Sequence, residues 1–280
     1  MRALVTGSSG RIGAAVVRAL PGAEPVIGVD RMPGPHTTHA DDLGDSSRLR
    51  ALLSGVDVVF HLAALHAPHV AQRGAGEFKR VNVEATARLL DAARAAGVPR
   101  VVFTSTTSVY GCTTRAAERA VWVTEDLPPN PEDIYDETKL AAEELCRQAA
   151  GRDLTVVVLR VSRCFPEPPP LLAFYRLYRG LDLRDAARAH VLAAGAPLDP
   201  YSVFNVSADT PFRPQDGTAL WSDPWRVIDR AVPGLARTFE ERGWARPPRI
   251  DRVYVTAKAN AVLGYRSDHG VEAVLRGDTP

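Results

Sequence analysis

Two rhythms of apolar and polar positions alternate along the first 160 residues. Short, nearly unbroken apolar runs at 3–6, 26–30, 56–60, 101–103 and 154–159 have the length and β-branched content of strands buried on both faces. Between them lie segments of helical period. Ile12, Val16 and Ala19 recur on one face of 11–20, 46–54 is helical in pattern, 77–96 is a long amphipathic stretch stopped by Gly97 and Pro99, and 134–149 is another. Strands alternating with helices predict an α/β fold on a doubly wound parallel sheet. Past Arg160 the regularity breaks at Pro166, Pro168, Pro169 and Pro170, and segments rich in Pro, Trp and Arg alternate with short helices such as 182–194. A late strand at 203–206 returns to the sheet. The chain thus divides into a sheet domain at 1–160 and a small C-terminal lobe at 161–280, interleaved because 182–206 goes back to the sheet.

Composition narrows the partners. A chain of 280 residues with 45% hydrophobic content can bury one substantial core and a modest second lobe. Its 34 basic and 33 acidic residues leave a formal charge of +1, too little field to attract nucleic acid or a membrane surface, so a small molecule is the expected ligand. Cys112, Cys146 and Cys164 are too few and scattered for a disulfide framework or metal cluster, which suits reduced thiols in the cytoplasm. No apolar run approaches the roughly 18 to 20 residues that cross a bilayer.

The candidate chemistry begins at Thr6-Gly7-Ser8-Ser9-Gly10-Arg11-Ile12-Gly13, between the first strand and the first helix. Gly7 permits a tight turn, Gly10 lets the backbone approach a pyrophosphate, and Gly13 allows the helix to pack closely on the strand. The helix N-terminus at Arg11 and Ile12 offers free amides to phosphates. The spacing G-x-x-G-x-x-G differs from the general dinucleotide fingerprint, and a plain strand-helix turn is the alternative. Asp30, at the end of the second strand, stands where an acid accepts hydrogen bonds from adenosine ribose and repels a 2′-phosphate, favouring NAD over NADP; Arg31 beside it works the other way. Its alternative role is a strand cap.

Tyr135 and Lys139 lie four residues apart on a helix, so phenol and ammonium share a face. A free tyrosine titrates near pH 10, too high for a base at neutrality, and the ammonium is expected to favour the phenolate. Tyr135 could then exchange a proton with a substrate oxygen as hydride moves. Alone, Y-x-x-x-K is surface decoration far more often than a site.

Together with the glycine turn, however, the chain resembles the extended branch of the short-chain dehydrogenase/reductase superfamily, the NAD-dependent epimerases and dehydratases, built on a Rossmann sheet. The likeness runs through Asp42-Leu43, His61-Leu62-Ala63-Ala64, Asn82, the segment from Thr104 to Gly111, Leu159-Arg160, the segment from Asp182 to Ala189, and Phe204-Asn205-Val206-Ser207. It implies NAD as cofactor, with Asp42 and Leu43 at the adenine and Leu62, Ala63 and Ala64 beside the dinucleotide. It places the catalytic hydroxyl on Thr106, with Ser105 as the adjacent candidate, makes Tyr135 the general base, and has Lys139 hold the nicotinamide ribose. It further implies a homodimer through helices 77–96 and 134–149.

The substrate is less marked. Many nucleotide-sugar epimerases carry an Asn within L-R-x-x-N, where this chain has Leu159-Arg160-Val161-Ser162-Arg163. The stretch from Arg160 to Pro168, followed by Tyr175-Arg176, resembles uronate dehydrogenases, which oxidise a free sugar acid. By that likeness Arg176 clamps a carboxylate or phosphate, for which a guanidinium fork is suited; a surface ion pair is its alternative. Arg163 is a second anion partner, and Ser105 and Thr107 face the substrate. His66 and His69 would line the cleft, and without a third ligand they do not suggest a metal. The leading expectation is a sugar or nucleotide-sugar epimerase or dehydratase. The alternatives are a uronate dehydrogenase, a ketone reductase and a non-catalytic NAD-binding sensor or scaffold.

Overall fold

The computed structural model describes residues 1–22, 25–114 and 118–278. Seven of its strands form one wholly parallel sheet in the order β3-β2-β1-β4-β5-β7-β8. They are β1 (Ala3–Thr6), β2 (Ile27–Asp30), β3 (His39–Ala40), β4 (Val58–His61), β5 (Arg100–Thr106), β7 (Thr155–Val161) and β8 (Tyr201–Val206). The other two, β6 (Val121–Val123) and β9 (Arg252–Tyr254), pair in a small parallel ribbon. The helices are α1 (Arg11–Ala19), α2 (Ser46–Leu53), α3 (Ala75–Phe78), α4 (Ala85–Ala95), α5 (Ile134–Ala149), α6 (Pro169–Tyr175), α7 (Leu183–Gly195), α8 (Gly217–Ser222), α9 (Pro224–Ala231), α10 (Leu235–Glu241), α11 (Ala257–Leu263) and α12 (Val271–Leu275).

The apolar runs are continuous because successive side chains serve different cores. Val5, Phe60, Val102 and Val157 point into the layer that includes Val16 of α1 and Ala186 of α7. Their neighbours Leu4, Val59, Val101 and Val156 point the other way, toward Leu49 of α2, Leu89 of α4 and Ala142 of α5. Each such side chain taken fully from water contributes about 1.5 to 3 kcal/mol before entropy is counted. The sheet is a Rossmann sheet, with its crossover helices on both faces.

Helix starts follow the capping rules. Asp45, Asp133 and Asp182 each accept a backbone N–H from the first turn of α2, α5 and α7. The expected single helix over 77–96 is interrupted: α3 and α4 are joined by a π-helical turn, Lys79–Glu84. Its cause is Asn82, a buried residue whose side chain accepts from Leu65 N–H at 2.8 Å and donates to Leu65 C=O at 2.9 Å and Thr138 Oγ1 at 3.1 Å. The turn widens to let that amide serve a neighbouring loop.

The second lobe has its own core, in which Phe174, Tyr178, Trp225, Phe239 and Trp244 pack together. The ribbon β6–β9 draws 121–123, a piece of the first 160 residues, into parallel pairing with 252–254. α11 meanwhile packs back against β8 and α7. The interleaving therefore runs in both directions. No helix among the described residues is long and apolar enough to cross a membrane.

Candidate active site

A cleft of about 670 Å³ opens at the carboxyl ends of β1, β2, β4, β5 and β7 and is closed on one side by the second lobe. That is the usual binding crevice of an open parallel sheet. Gly7, Gly10, Arg11, Ile12 and Gly13 line it, as do Asp30, Arg31, Asp42, Leu43, Leu62, Ala63 and Ala64. His66, Ser105, Thr106, Thr107, Tyr135, Lys139 and Arg163 complete the sequence-derived residues it brings together.

At one end the wall is made of backbone. Gly7 has φ +71°, and a Cβ there would sit 2.8 Å from the Ala63 nitrogen; a Cβ on Gly13 would run into the Gly7 carbonyl oxygen. The turn is compressed between β4 and α1, which only glycine permits. α1 begins at Gly10 with no side chain capping its first amides, leaving them to an anion. Asp30 is fixed at the mouth, Oδ2 accepting from Ser9 N–H at 3.0 Å and Oδ1 from Met32 N–H at 2.9 Å. Arg31 is loosely paired with Glu77 at 3.9 Å. Leu43 takes φ +62°, strained for a branched side chain, and is held by Asp41 Oδ1 on its amide at 2.7 Å and Arg88 Nε on its carbonyl at 3.1 Å. Such an outlier at the cleft rim is the mark of a shaped binding wall. The Leu62 and Ala63 amides both donate to Thr6 Oγ1 at 3.1 Å, and Thr6 is braced by His61, which burial keeps neutral with a pKa of about 3. An open helix N-terminus, a glycine cradle and a fixed acid at the next strand end fit a dinucleotide.

At the other end the wall is made of side chains. Lys139 is 3% exposed, lies 4.2 Å over the Phe103 ring and is lowered to a pKa of about 8 by burial, against the favourable charge of Glu143. Tyr135 moves opposite to expectation. Burial raises its pKa well above the ordinary value, and the group that opposes the rise is the Thr106 hydroxyl, not the Lys139 ammonium. Tyr135 is half-buried, and the desolvation of its phenolate outweighs a neighbouring cation. Ser105 is committed elsewhere: its hydroxyl donates to Glu143 Oε1 at 2.5 Å, within a buried network that joins Glu143 to Arg160 and Arg160 to Tyr110. Of the two hydroxyl candidates, Thr106 is the one beside Tyr135.

Two sequence expectations are corrected here. Arg176 does not reach the cleft; it is 4% exposed and its Nη2 donates to Asp182 Oδ2 at 3.0 Å beneath α7, because α6 turns that side chain inward. His69 does not line the cleft either. Its Nδ1 accepts the His66 amide at 3.1 Å and its ring packs edge-on against His66, which does reach the cavity and stacks near Phe165. Arg163 is at the wall but engaged by Glu167, Nε to Oε1 at 2.7 Å. Sequence reasoning missed Arg179, Arg252, Tyr254, Ser108 and Asp136, all of which line the cavity. The β6–β9 ribbon brings Arg252 and Tyr254 across, and no local motif announces them. Among the described residues no three His, Cys, Asp or Glu side chains cluster as metal ligands.

Fold and cleft together define a dinucleotide-binding Rossmann architecture with a capping lobe. Residues 3–168 match the model of the NAD-dependent epimerase/dehydratase family, to which the chain belongs. An uncharacterised UDP-glucose epimerase, YtcB of Bacillus subtilis (strain 168), is 33% identical over 205 residues, 64% of this chain and 62% of the relative. The first curated relatives are matched over 40% to 63% of their own lengths. Among solved structures, MoeE5 in complex with UDP-glucose and NAD superposes with a TM-score of 0.72 at 29% identity, covering 98% of this chain and 96% of that one. A short-chain dehydrogenase/reductase superfamily protein from Agrobacterium tumefaciens with bound NAD gives a TM-score of 0.75 at 26% identity, covering 99% and 96%.

Proposed function

We propose that this chain is an NAD-dependent oxidoreductase of the epimerase/dehydratase type acting on a sugar of a nucleotide sugar. The observation that carries the reading is the placement of Tyr135, Lys139 and Thr106 on one wall of the same cleft whose other end is the glycine turn and Asp30. NAD, when bound, supplies the hydride acceptor. Gly7, Gly10 and Gly13 with the α1 amides would hold its pyrophosphate, Asp30 its adenosine ribose, and Lys139 its other ribose. Thr106 orients the substrate oxygen together with Tyr135, and Tyr135 takes or returns the proton at that oxygen. The likeness to MoeE5, described with UDP-glucose, supports a nucleotide handle.

A second reading has its own support. Arg163, Arg179 and Arg252 line the cavity, Arg163 paired with Glu167 and Arg252 with Asp251, and a free uronate carboxylate would suit such a basic wall as a diphosphate does. In either case we propose a homodimer through the helical segments 77–96 and 134–149, whose α4 and α5 pack side by side.

The test incubates the protein with NAD and two panels, nucleotide sugars and free sugar acids, following NADH absorbance and product identity together. An isomerised or dehydrated nucleotide sugar without net NADH supports the first reading; stoichiometric NADH from a uronate supports the second. Tyr135→Phe should bind NAD as the parent does and lose turnover by orders of magnitude, and unchanged turnover would sink the role given to Tyr135.

A further inference from the structure

Tyr110 and Asn205 are fully buried polar side chains that do not line the cleft, and the reading above makes no demand on them. They belong to a line of hydrogen bonds that begins at the catalytic wall. Ser105, next to Thr106, donates to Glu143 Oε1, and Arg160 holds Glu143 through both Nε and Nη2. Arg160 Nη1 then donates to the Tyr110 oxygen at 2.8 Å, and the Tyr110 hydroxyl gives its one proton to Asn205 Oδ1 at 2.9 Å. That proton fixes which way the Asn205 amide points. Nδ2 accordingly faces β6 and donates to the Val123 carbonyl at 3.2 Å, while the Asn205 backbone N–H donates to Glu125 Oε1, just past β6, at 2.7 Å.

The far end of this line is the ribbon β6–β9. The Val123 carbonyl also accepts the Val255 N–H at 3.0 Å, so one oxygen ties both sides of the ribbon to Asn205. Arg252 and Tyr254 of β9 line the same cavity as Tyr135. A two-stranded ribbon with three residues in each strand is marginal by itself, so the position of those two side chains depends on what seats it. Its apolar seat at the sheet is a small cluster of Val109, Tyr110, Val123 and Tyr254, with the Tyr110 and Tyr254 rings 6.4 Å apart. Tyr110 is thus a member of both the cluster and the line. The cofactor end is built without either: β1, β2, β4 and α1, which frame the glycine turn and Asp30, supply no residue to the line.

We infer that Tyr110 and Asn205 are positioning residues for the substrate, seating the β6–β9 ribbon, and with it Arg252 and Tyr254, against the end of the sheet that carries Thr106. The inference rests on the reading above, which puts the substrate in the cavity that Tyr135 and the ribbon both line. Neither residue touches the substrate; both act through Arg252 and Tyr254. Removing the Tyr110 hydroxyl leaves Arg160 Nη1 and Asn205 Oδ1 buried without partners and loosens the ribbon. The grip of Arg160 on Glu143 through Nε and Nη2 persists, as does every contact at the glycine turn. The loss therefore falls on substrate affinity and spares NAD affinity, a split that general loosening of the core would not produce.

The test compares the parent with Tyr110→Phe and Asn205→Asp, the second of which keeps the acceptor for Tyr110 and sets a carboxylate oxygen against the Val123 carbonyl. Measured on the NAD-loaded protein are hydrogen exchange, the melting temperature, and the Kd of UDP-glucose and of glucuronate, or, where the parent binds neither, of the tightest-bound member of the two panels; kcat, KM and NAD affinity are taken alongside. In both variants exchange at 121–123 and 252–255 should rise by about tenfold while 3–6, 27–30 and 58–61 keep their rates. The Kd and KM of the bound probe should rise by about fivefold, with kcat and NAD affinity changed less than about threefold. Unaltered exchange in the ribbon, an unaltered probe Kd, or NAD affinity falling in step with probe affinity overturns the inference. Should Tyr110→Phe melt too early to assay, Asn205→Asp decides by the same readings. A parent protein that binds no member of either panel removes the reading above and the inference with it, whereas binding by the parent that both variants keep in full removes the inference alone.

Discussion

Replacing Lys139 by Met should make the ligand-free protein more stable while ending its turnover. Lys139 is 3% exposed, and burial lowers it from the ordinary lysine value near 10.4 to about 8. At about 1.4 kcal/mol for each tenfold change in proton affinity, the buried ammonium is disfavoured by roughly 3 kcal/mol. The attraction to Phe103 at 4.2 Å already offsets part of the desolvation and disappears with the charge, removing about 1 kcal/mol from the gain. Methionine fills a similar volume, so the net stabilisation expected is about 2 kcal/mol. The pH dependence identifies the cause. Below pH 8 the lysine is charged in both folded and unfolded chains and the penalty is complete. Between about 8 and 10.4 the folded chain has released the proton and the unfolded chain has not, so the parent gains stability as pH rises and the variant's advantage shrinks. Urea unfolding of parent and variant at pH 7 and at pH 9.5 measures both effects. A variant less stable than the parent at pH 7, or a difference that does not change with pH, would refute the account of Lys139 as a strained functional ammonium.

The cofactor end offers two further tests. Gly13→Ala drives a Cβ into the Gly7 carbonyl oxygen and should destabilise the protein by about 1 to 3 kcal/mol and abolish the stabilisation that added NAD gives, both read by thermal melting; an unchanged NAD response would show that the turn is not the phosphate cradle. If Asp30 is the group that repels a 2′-phosphate, Asp30→Asn should move the NAD-to-NADP preference toward NADP by about tenfold, some 1.4 kcal/mol, in titrations of the two cofactors; a constant ratio counts against Asp30 as the selector. Away from the cleft, Glu143→Gln strips the charge from a carboxylate that accepts from Arg160 at 2.7 Å and from Ser105 at 2.5 Å, and should cost about 3 to 5 kcal/mol in urea unfolding, with a loss below about 1 kcal/mol contradicting the importance of that buried pair.

How far the sequence could be read depends on whether a feature is made by neighbours in the chain. Six of the seven sheet strands and α5 were legible because each is one contiguous run with its own period, and 134–149 is observed as Ile134–Ala149; the two-residue edge strand β3, His39–Ala40, is too short to leave such a run. Aspartates mark three helix starts for the same local reason. The cofactor turn is likewise local, eight residues whose glycines answer to a collision with Gly7 or Ala63. The long helix 77–96 was misread because its apolar period runs unbroken through the π turn; what widens it is the bond from Asn82 to Leu65, which periodicity does not register. Arg176 was placed at the cleft by likeness to uronate dehydrogenases, which carries no information on where the side chain packs. Past the end of α6 the chain sets the Arg176 guanidinium against Asp182, and Arg179, three positions on, is the one that lines the cavity.

The opposed shifts of Tyr135 and Lys139 have one cause and one consequence. Burial raises the phenol and lowers the ammonium, so in the ligand-free cleft both groups are pushed toward their neutral forms. Four residues of helical spacing bring the pair to one wall, but spacing cannot supply the charge state that proton transfer needs; that has to come from what else faces the wall. Thr106 is the one neighbour that pulls the phenol toward ionisation, and it does so while hydrogen-bonded to Ser108. Glu143 supports the ammonium and is held by Arg160 at 2.7 Å, whose own place is fixed by the Tyr110 hydroxyl and β7. A site that looks like two residues in the sequence is therefore sustained by two separate lines of hydrogen bonds, one running along the end of β5 and one crossing the core between α5 and β7. Changes in the two lines are therefore expected to separate, those beside the phenol altering the pH profile of turnover and those around Glu143 and Arg160 the stability of the fold.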